Sequence, residues 1–171
     1  MIVDFFNSQC QSLTTKKIFG LCDEEENEEP AYIDEQNGAK WIAVVENDEL
    51  KEVHFIAIDY CIDIWRDEEK KEMDNRCDGM LWYDGKNLIF VELKDRKLRN
   101  ASEFIKEAAL QLTTTINHFK KNYNIADYNI KAAYIVSRKK IHRSYKERME
   151  RFQNDIGCTL RIENRIKIPL Y

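Results

Sequence analysis

The run Arg76-Cys77-Asp78-Gly79-Met80-Leu81-Trp82-Tyr83-Asp84-Gly85-Lys86-Asn87-Leu88-Ile89-Phe90-Val91-Glu92-Leu93-Lys94 decides the fold. Two apolar segments flank Asp84-Gly85, a turn signal, so the run reads as a β-hairpin. Side chains alternate faces along a strand, which puts Leu88, Phe90, Glu92 and Lys94 on one face. Charges on so apolar a surface are costly to bury without partners. Whether Asp78 joins them depends on register. A two-residue turn at Asp84-Gly85 sets Asp78 opposite Val91, facing away. A three-residue loop, Tyr83-Asp84-Gly85 with Gly85 left-handed, pairs Trp82 with Lys86 and sets Asp78 opposite Phe90, beside Glu92. The sequence allows both turns, and only an even register gathers Asp78, Glu92 and Lys94.

Downstream, Phe104, Ile105, Ala108, Ala109, Leu112, Ile116 and Phe119 recur at helical spacing to about Lys121, with Asn100 or Ser102 as cap. Lys131 to Ser137 reads as a buried strand. Ser144 and Glu147 form a capping-box pattern for a helix that Gly157 ends. Thr159 to Glu163 and Arg165 to Leu170 read as a closing hairpin. Upstream, Trp41 to Glu46 and Val53 to Ile58 read as a hairpin around Asn47-Asp48-Glu49. Asp4 to Leu13 suggests a short helix. Asp23 to Pro30 is a self-repelling acidic loop, and Arg66 to Arg76 is another charged, exposed stretch. With no repeat and no linker, residues 1–171 are expected to form one α/β domain.

The 171 residues are 43% hydrophobic and 34% charged, with mixed signs, which argues against disorder. The net charge of −4 conceals −14 over residues 1–85 and +10 over residues 86–171. A basic half can neutralise phosphates despite an acidic total. No apolar run is long enough to span a bilayer, and the N-terminus lacks the basic start of a secretory signal. The five cysteines are scattered with no CxxC pair. They are expected to be reduced, in a cytoplasmic protein, and not to bind zinc.

Two carboxylates with a main-chain carbonyl make a hard-oxygen site suited to Mg²⁺ or Mn²⁺. Without an ion, adjacent carboxylates repel, and one pKa rises. A lysine two residues on can hold a phosphate or a water. Such a set suits phosphodiester hydrolysis.

Asp78, thirteen residues, then Glu92-Leu93-Lys94 resembles the D…(D/E)xK signature of the PD-(D/E)xK nuclease superfamily. The resemblance covers roughly residues 53–137, with Cys77 where proline often precedes the aspartate. It implies a restriction-endonuclease-like mixed central sheet flanked by helices, with an αβββαβ core. It implies Asp78, Glu92 and Lys94 as catalytic residues, and Asp78, Glu92 and the Leu93 carbonyl as ligands of Mg²⁺ or Mn²⁺. Gln111 is placed to support the site. An earlier acid often completes such sites, for which Asp59, Asp63 and, more weakly, Asp4 are candidates. The implied activity is hydrolysis of nucleic acid, DNA first, by an enzyme that could work as a homodimer. The alternative is a non-catalytic module of the same fold, binding nucleic acid or a protein partner. Lys97, Arg99, Arg138, Lys139, Lys140 and Arg143 could track a phosphate backbone or be solvated surface charge. His54, His118 and His142 read as incidental, and Trp41, Trp65 and Trp82 as core.

Overall fold

The computed structural model describes residues 2–95, 101–138 and 145–171. The hairpin forms from β6 (Gly79–Tyr83) and β7 (Asn87–Lys94). Its register is even, pairing Met80 with Phe90 and Tyr83 with Asn87. The loop has three residues, but they are Asp84-Gly85-Lys86, one position later than expected. Asp84 and Gly85 are both left-handed, at φ 54° and 73°, a conformation that costs glycine little and aspartate less than most residues. The shift moves the partner of Asp78 from Phe90 to Glu92.

Around this hairpin lie β1 (Gln11–Thr14), β5 (Val53–Ala57), β8 (Asn129–Ser137) and β9 (Thr159–Ile162), in the order β1-β5-β6-β7-β8-β9. Strands β1, β5, β6 and β7 pair antiparallel. Strands β7, β8 and β9 run parallel, which requires crossovers. Helices α1 (Ala101–Asn122) and α2 (Lys146–Ile156) supply them. A second mixed sheet comprises β2 (Ile18–Cys22), β3 (Tyr32–Asp34), β4 (Ala43–Asn47) and β10 (Arg165–Ile168), in the order β10-β4-β2-β3. The protein is therefore mixed α/β, with two mixed sheets and two helices.

The larger sheet is covered on both faces, which is why β7 is apolar almost throughout. On one face Met80, Leu88 and Phe90 pack with Ile105, Ala108, Leu112, Ile116 and Phe119 of α1 and Phe152 and Ile156 of α2. On the other, Leu81, Ile89, Val91 and Tyr134 pack with Phe19, Leu21, Val45, Ile166 and Ile168 of the second sheet. Each fully buried Leu, Ile or Phe contributes about 1.5–3 kcal/mol. By strand alternation Asp78, Glu92 and Lys94 belong to the face that α1 covers.

Several expectations need correction. Asp4 to Leu13 is not a helix: a single 3-10 turn, Ser8–Cys10, leads into β1. Asp4 and Asn7 accept from the backbone N–H groups of Phe6 and Gln9, so the side chains compete with a helix from within. Among the described residues only short 3-10 turns precede β5, and the leading α of the αβββαβ order is absent there. Strands β4 and β5 form but do not pair, nor do β9 and β10; each couple is divided between the sheets. Buried Asn47 directs the first division. Its amide donates to the Lys16 and Lys51 carbonyls and its Oδ1 accepts from the Lys51 N–H, and its carbonyl accepts from the Leu50 N–H at 3.1 Å, so a tight turn does follow β4 but is tied to the Lys16 segment and does not close a β4–β5 hairpin. The cysteines are not all reduced: Cys10 and Cys61 form a disulfide, while Cys22, Cys77 and Cys158 are free and buried. Gly157 ends α2 in the left-handed conformation, as expected. Asn100 and Ser144 lie outside the described residues, and Ser102, the alternative cap for the first helix, lies inside α1. Among those that are described, no helix is long and apolar enough to cross a membrane.

Candidate active site

Asp78 stands just before β6. Its carbonyl accepts from the Ile58 N–H at 2.9 Å, and the Cys77 carbonyl accepts from Asp59 N–H at 3.2 Å. These bonds continue the β5 ladder past the named strands. On the other side, the β6–β7 register pairs Gly79 with Val91, so its next step faces Asp78 toward Glu92. Gly79 has little alternative, since a Cβ there would come 2.4 Å from the Phe55 ring. Asp78 is 6% exposed and Glu92 is 1% exposed.

The two carboxylates are unequally satisfied. Asp78 Oδ2 accepts from the Leu93 N–H at 2.6 Å. Glu92 Oε1 lies 3.8 Å from Lys94 Nζ, an ion pair at the long end of the range. Glu92 Oε2 is buried and has no hydrogen-bond partner. Burial first, then the neighbouring Asp78 charge and their shared hydrogen bond, push the Glu92 carboxyl well above the usual carboxylate range, against the pull of Lys94. Burial also raises Asp78, but the Glu92 hydrogen bond, the Leu93 N–H and Lys94 oppose it. Both carboxyls are thus pushed upward by burial, and the pair titrates as one coupled unit whose last proton is held above the ordinary carboxylate range.

Helix α1 fixes the approach to Asp78. The Cys77 N–H donates to Thr115 Oγ1 at 2.8 Å, and that hydroxyl donates to the Gln111 carbonyl at 2.8 Å. Gln111 Nε2 reaches the Arg76 carbonyl at 3.5 Å. Gln111 thus sits against the segment leading to Asp78, and its amide holds backbone. Asp59 is the earlier acid brought nearest. Its Oδ1 lies 3.0 Å from an Arg76 guanidinium nitrogen. Burial raises its pKa more than Arg76 lowers it, and its charge is felt by both Asp78 and Glu92. Asp63 is exposed. Asp4 is set away from the site, since its neighbours Val3 and Phe5 bond to Asn122 and Tyr123 at the far end of α1.

The donor set is limited. Among the described residues, no group of three or more His, Cys, Asp or Glu could hold a metal ion. Asp78 and Glu92 are gathered; Asp59 is not brought into a ligand cluster with them. The fit to a cation rests on the orphaned Glu92 Oε2 and on the hard-oxygen chemistry of the pair.

Other expectations fared unevenly. Arg138 is held on the surface, donating to the Lys40 carbonyl at 2.8 Å and lying 3.2 Å from Asp95. Lys97, Arg99, Lys139, Lys140, Arg143 and His142 lie outside the described residues. His118 is not incidental, because its Nε2 contacts Asp74 Oδ2 at 2.8 Å and ties α1 to the loop before Asp78. Burial alone would raise the Asp74 pKa; the His118 hydrogen bond and others outweigh it and lower it. Sequence reasoning missed the Arg76–Asp59 pair and the Thr115 clamp. The only available signal was a threonine within the buried stripe of α1. No family model matches the chain, and no curated protein or solved structure does either.

Proposed function

We propose that the chain is a metal-dependent nuclease of the PD-(D/E)xK type, acting on DNA. The single observation that carries the reading is Glu92 Oε2, buried without a partner and facing a second carboxylate. A polar atom in that state costs about 1–3 kcal/mol, which a bound cation would offset. The order β5-β6-β7-α1-β8 adds support, being the βββαβ part of the core expected of that superfamily.

Asp78 and Glu92 would hold Mg²⁺ or Mn²⁺, with the Leu93 carbonyl as a further ligand. The ion supplies Lewis-acid charge for a phosphate oxygen and lowers the pKa of a water. The chain's own part follows from the geometry. The Leu93 N–H keeps Asp78 oriented. Lys94, at 21% side-chain exposure, is wet enough to meet a phosphate and close enough to Glu92 to stay at the site. Its ammonium would offset charge building on the phosphoryl oxygens. Arg76 and Asp59 brace the segment behind Asp78.

The alternative is a non-catalytic module of this architecture, binding nucleic acid or a protein partner. The small donor set, two gathered carboxylates instead of three, favours it. Plasmid cleavage in Mg²⁺ separates the two. We expect cleavage by the wild type, lost about 10²-fold or more in Glu92→Gln and Lys94→Ala. A wild type inert in both Mg²⁺ and Mn²⁺, or a Glu92→Gln variant as active as its parent, contradicts the enzyme reading.

A further inference from the structure

The disulfide between Cys10 and Cys61 lies beside the candidate site, and no step of the proposed chemistry uses it. Cys61 belongs to a tight turn, residues 58–62, that begins where β5 ends. The N–H groups of Cys61 and Ile62 both donate to the Ile58 carbonyl, at 3.1 and 2.8 Å. This turn is bonded to the segment that carries Asp78. The Ile58 N–H donates to the Asp78 carbonyl, and the Asp59 N–H donates to the Cys77 carbonyl. Arg76 reaches back to the turn twice, to the Asp59 carboxylate at 3.0 Å and to the Ile62 carbonyl at 3.2 Å. The turn therefore sets where the chain enters β6.

The turn itself is strained. Tyr60 adopts φ 61°, a left-handed conformation that a non-glycine residue keeps only where its surroundings impose it. Its side chain is 49% exposed, so ring packing alone does not impose it. The Asp59 carboxylate on one side, which accepts from the Tyr60 N–H at 3.1 Å, and the disulfide on the other fix it. The far end of the disulfide is well anchored. The Cys10 N–H donates to the Asn7 carbonyl, and the segment before it is held by Phe5 and Phe6, whose rings pack on Phe119 and Tyr123. Cys61 is only half-buried, within reach of a small thiol, whereas Cys22, Cys77 and Cys158 are free and buried.

We propose that the Cys10–Cys61 disulfide is a thiol-responsive clip that holds the 58–62 turn and, through Arg76, the position of Asp78. A dithiol opens it. One thiolate of the dithiol attacks the Cys61 sulfur, the S–S bond breaks, and Cys10 leaves as a thiolate that takes up a proton. The second thiolate closes on the mixed disulfide and releases Cys61, also protonated. The cysteines gain two electrons, and the dithiol departs as a cyclic disulfide. Neither cysteine belongs to a strand, so both sheets keep their ladders while the turn loosens. A loss of cation affinity at Asp78 and Glu92 rests on the nuclease reading; the loosening of the turn does not.

Amide hydrogen exchange of the full chain tests the clip in three states: oxidised, reduced with dithiothreitol, and reoxidised. Alkylation after denaturation checks each state by mass, with three free thiols when oxidised and five when reduced. Reduction is expected to speed exchange over residues 58–62 and 76–78 by about tenfold or more, with the amides of β8 unchanged. Calorimetry with Mn²⁺, once the dithiol is removed, is expected to show affinity about tenfold weaker. Reoxidation restores both. A Cys10→Ala/Cys61→Ala variant matches the reduced wild type and does not respond to the dithiol. Five free thiols without faster exchange in the two segments overturn the clip. Equal acceleration across β8 overturns it too, because the disulfide is then a staple of the whole fold. Local loosening with unchanged Mn²⁺ affinity overturns the link to Asp78. An oxidised wild type that binds no Mn²⁺ overturns the nuclease reading, while the exchange result still decides the clip.

Discussion

Glu92 is costly at the residue scale. Its carboxyl is almost wholly buried, one oxygen has no partner, and its proton is held by burial and by Asp78. The linkage sign follows directly. A carboxyl whose folded pKa is raised binds more protons folded than unfolded, so its contribution to stability is greatest at low pH. That contribution is lost as pH rises from the ordinary carboxylate range through the raised Glu92 value. Glu92→Gln keeps the shape and removes the titration. Without divalent ions, the variant is expected to be more stable than wild type at neutral pH, and the gap should narrow toward pH 4. Urea unfolding across that pH range measures it, and a gap that widens on acidification contradicts the account. This cost was legible in the sequence, because an acid interrupting Leu88–Leu93 has few structural uses. The identity of the partner opposite it was not. Asp84-Gly85 permits several loops, and local turn chemistry alone does not select Asp84-Gly85-Lys86.

The decisive element is α1, which covers the site's face of the sheet and grips the strand before Asp78. Thr115 accepts from the Cys77 N–H and donates to its own helix at Gln111. Thr115→Val removes that acceptor while nearly keeping the volume, and so leaves a buried N–H unsatisfied at a cost of about 1–3 kcal/mol. If the clamp sets the position of Asp78, Mn²⁺ affinity should weaken about tenfold or more, and Thr115→Ser should restore both stability and affinity. Calorimetry with Mn²⁺ beside thermal melting reads the two effects apart. A variant that melts earlier yet binds Mn²⁺ as before shows a purely structural clamp. The helix itself was readable from its 3.6-residue stripe, whereas Thr115 looked like an ordinary member of it. At the same scale, β1 was misread because Phe5, Phe6, Cys10 and Leu13 fit a helical face. Asp4 and Asn7 bind nearby backbone instead, and the chain then pairs along β5.

Across the whole molecule, what stayed hidden is pairing between distant segments. Strand β10 joins β4 across more than a hundred residues, and β9 joins β8 beyond α2. Adjacent strands separated by short polar loops read naturally as hairpins, and nothing local signals that the chain changes sheets between them. The second sheet matters to the site because it buries the other face of β7 through Ile89, Val91 and Leu93. With both faces covered, the Glu92 carboxyl stays buried, 1% exposed, and must be satisfied in place. The split between an acidic first half and a basic second half was plain from the sequence. The fold sets part of the basic half, Lys106, Arg148 and Arg151, into one groove, and ties Arg138 to Asp95 on the surface. The measurement that tests the central claim most directly is anomalous diffraction from a crystal soaked in Mn²⁺. The account predicts a single strong peak in contact with Asp78 and Glu92, abolished in Glu92→Gln. An empty site at saturating Mn²⁺, with Lys94 Nζ drawn in to bridge the two carboxylates, contradicts it.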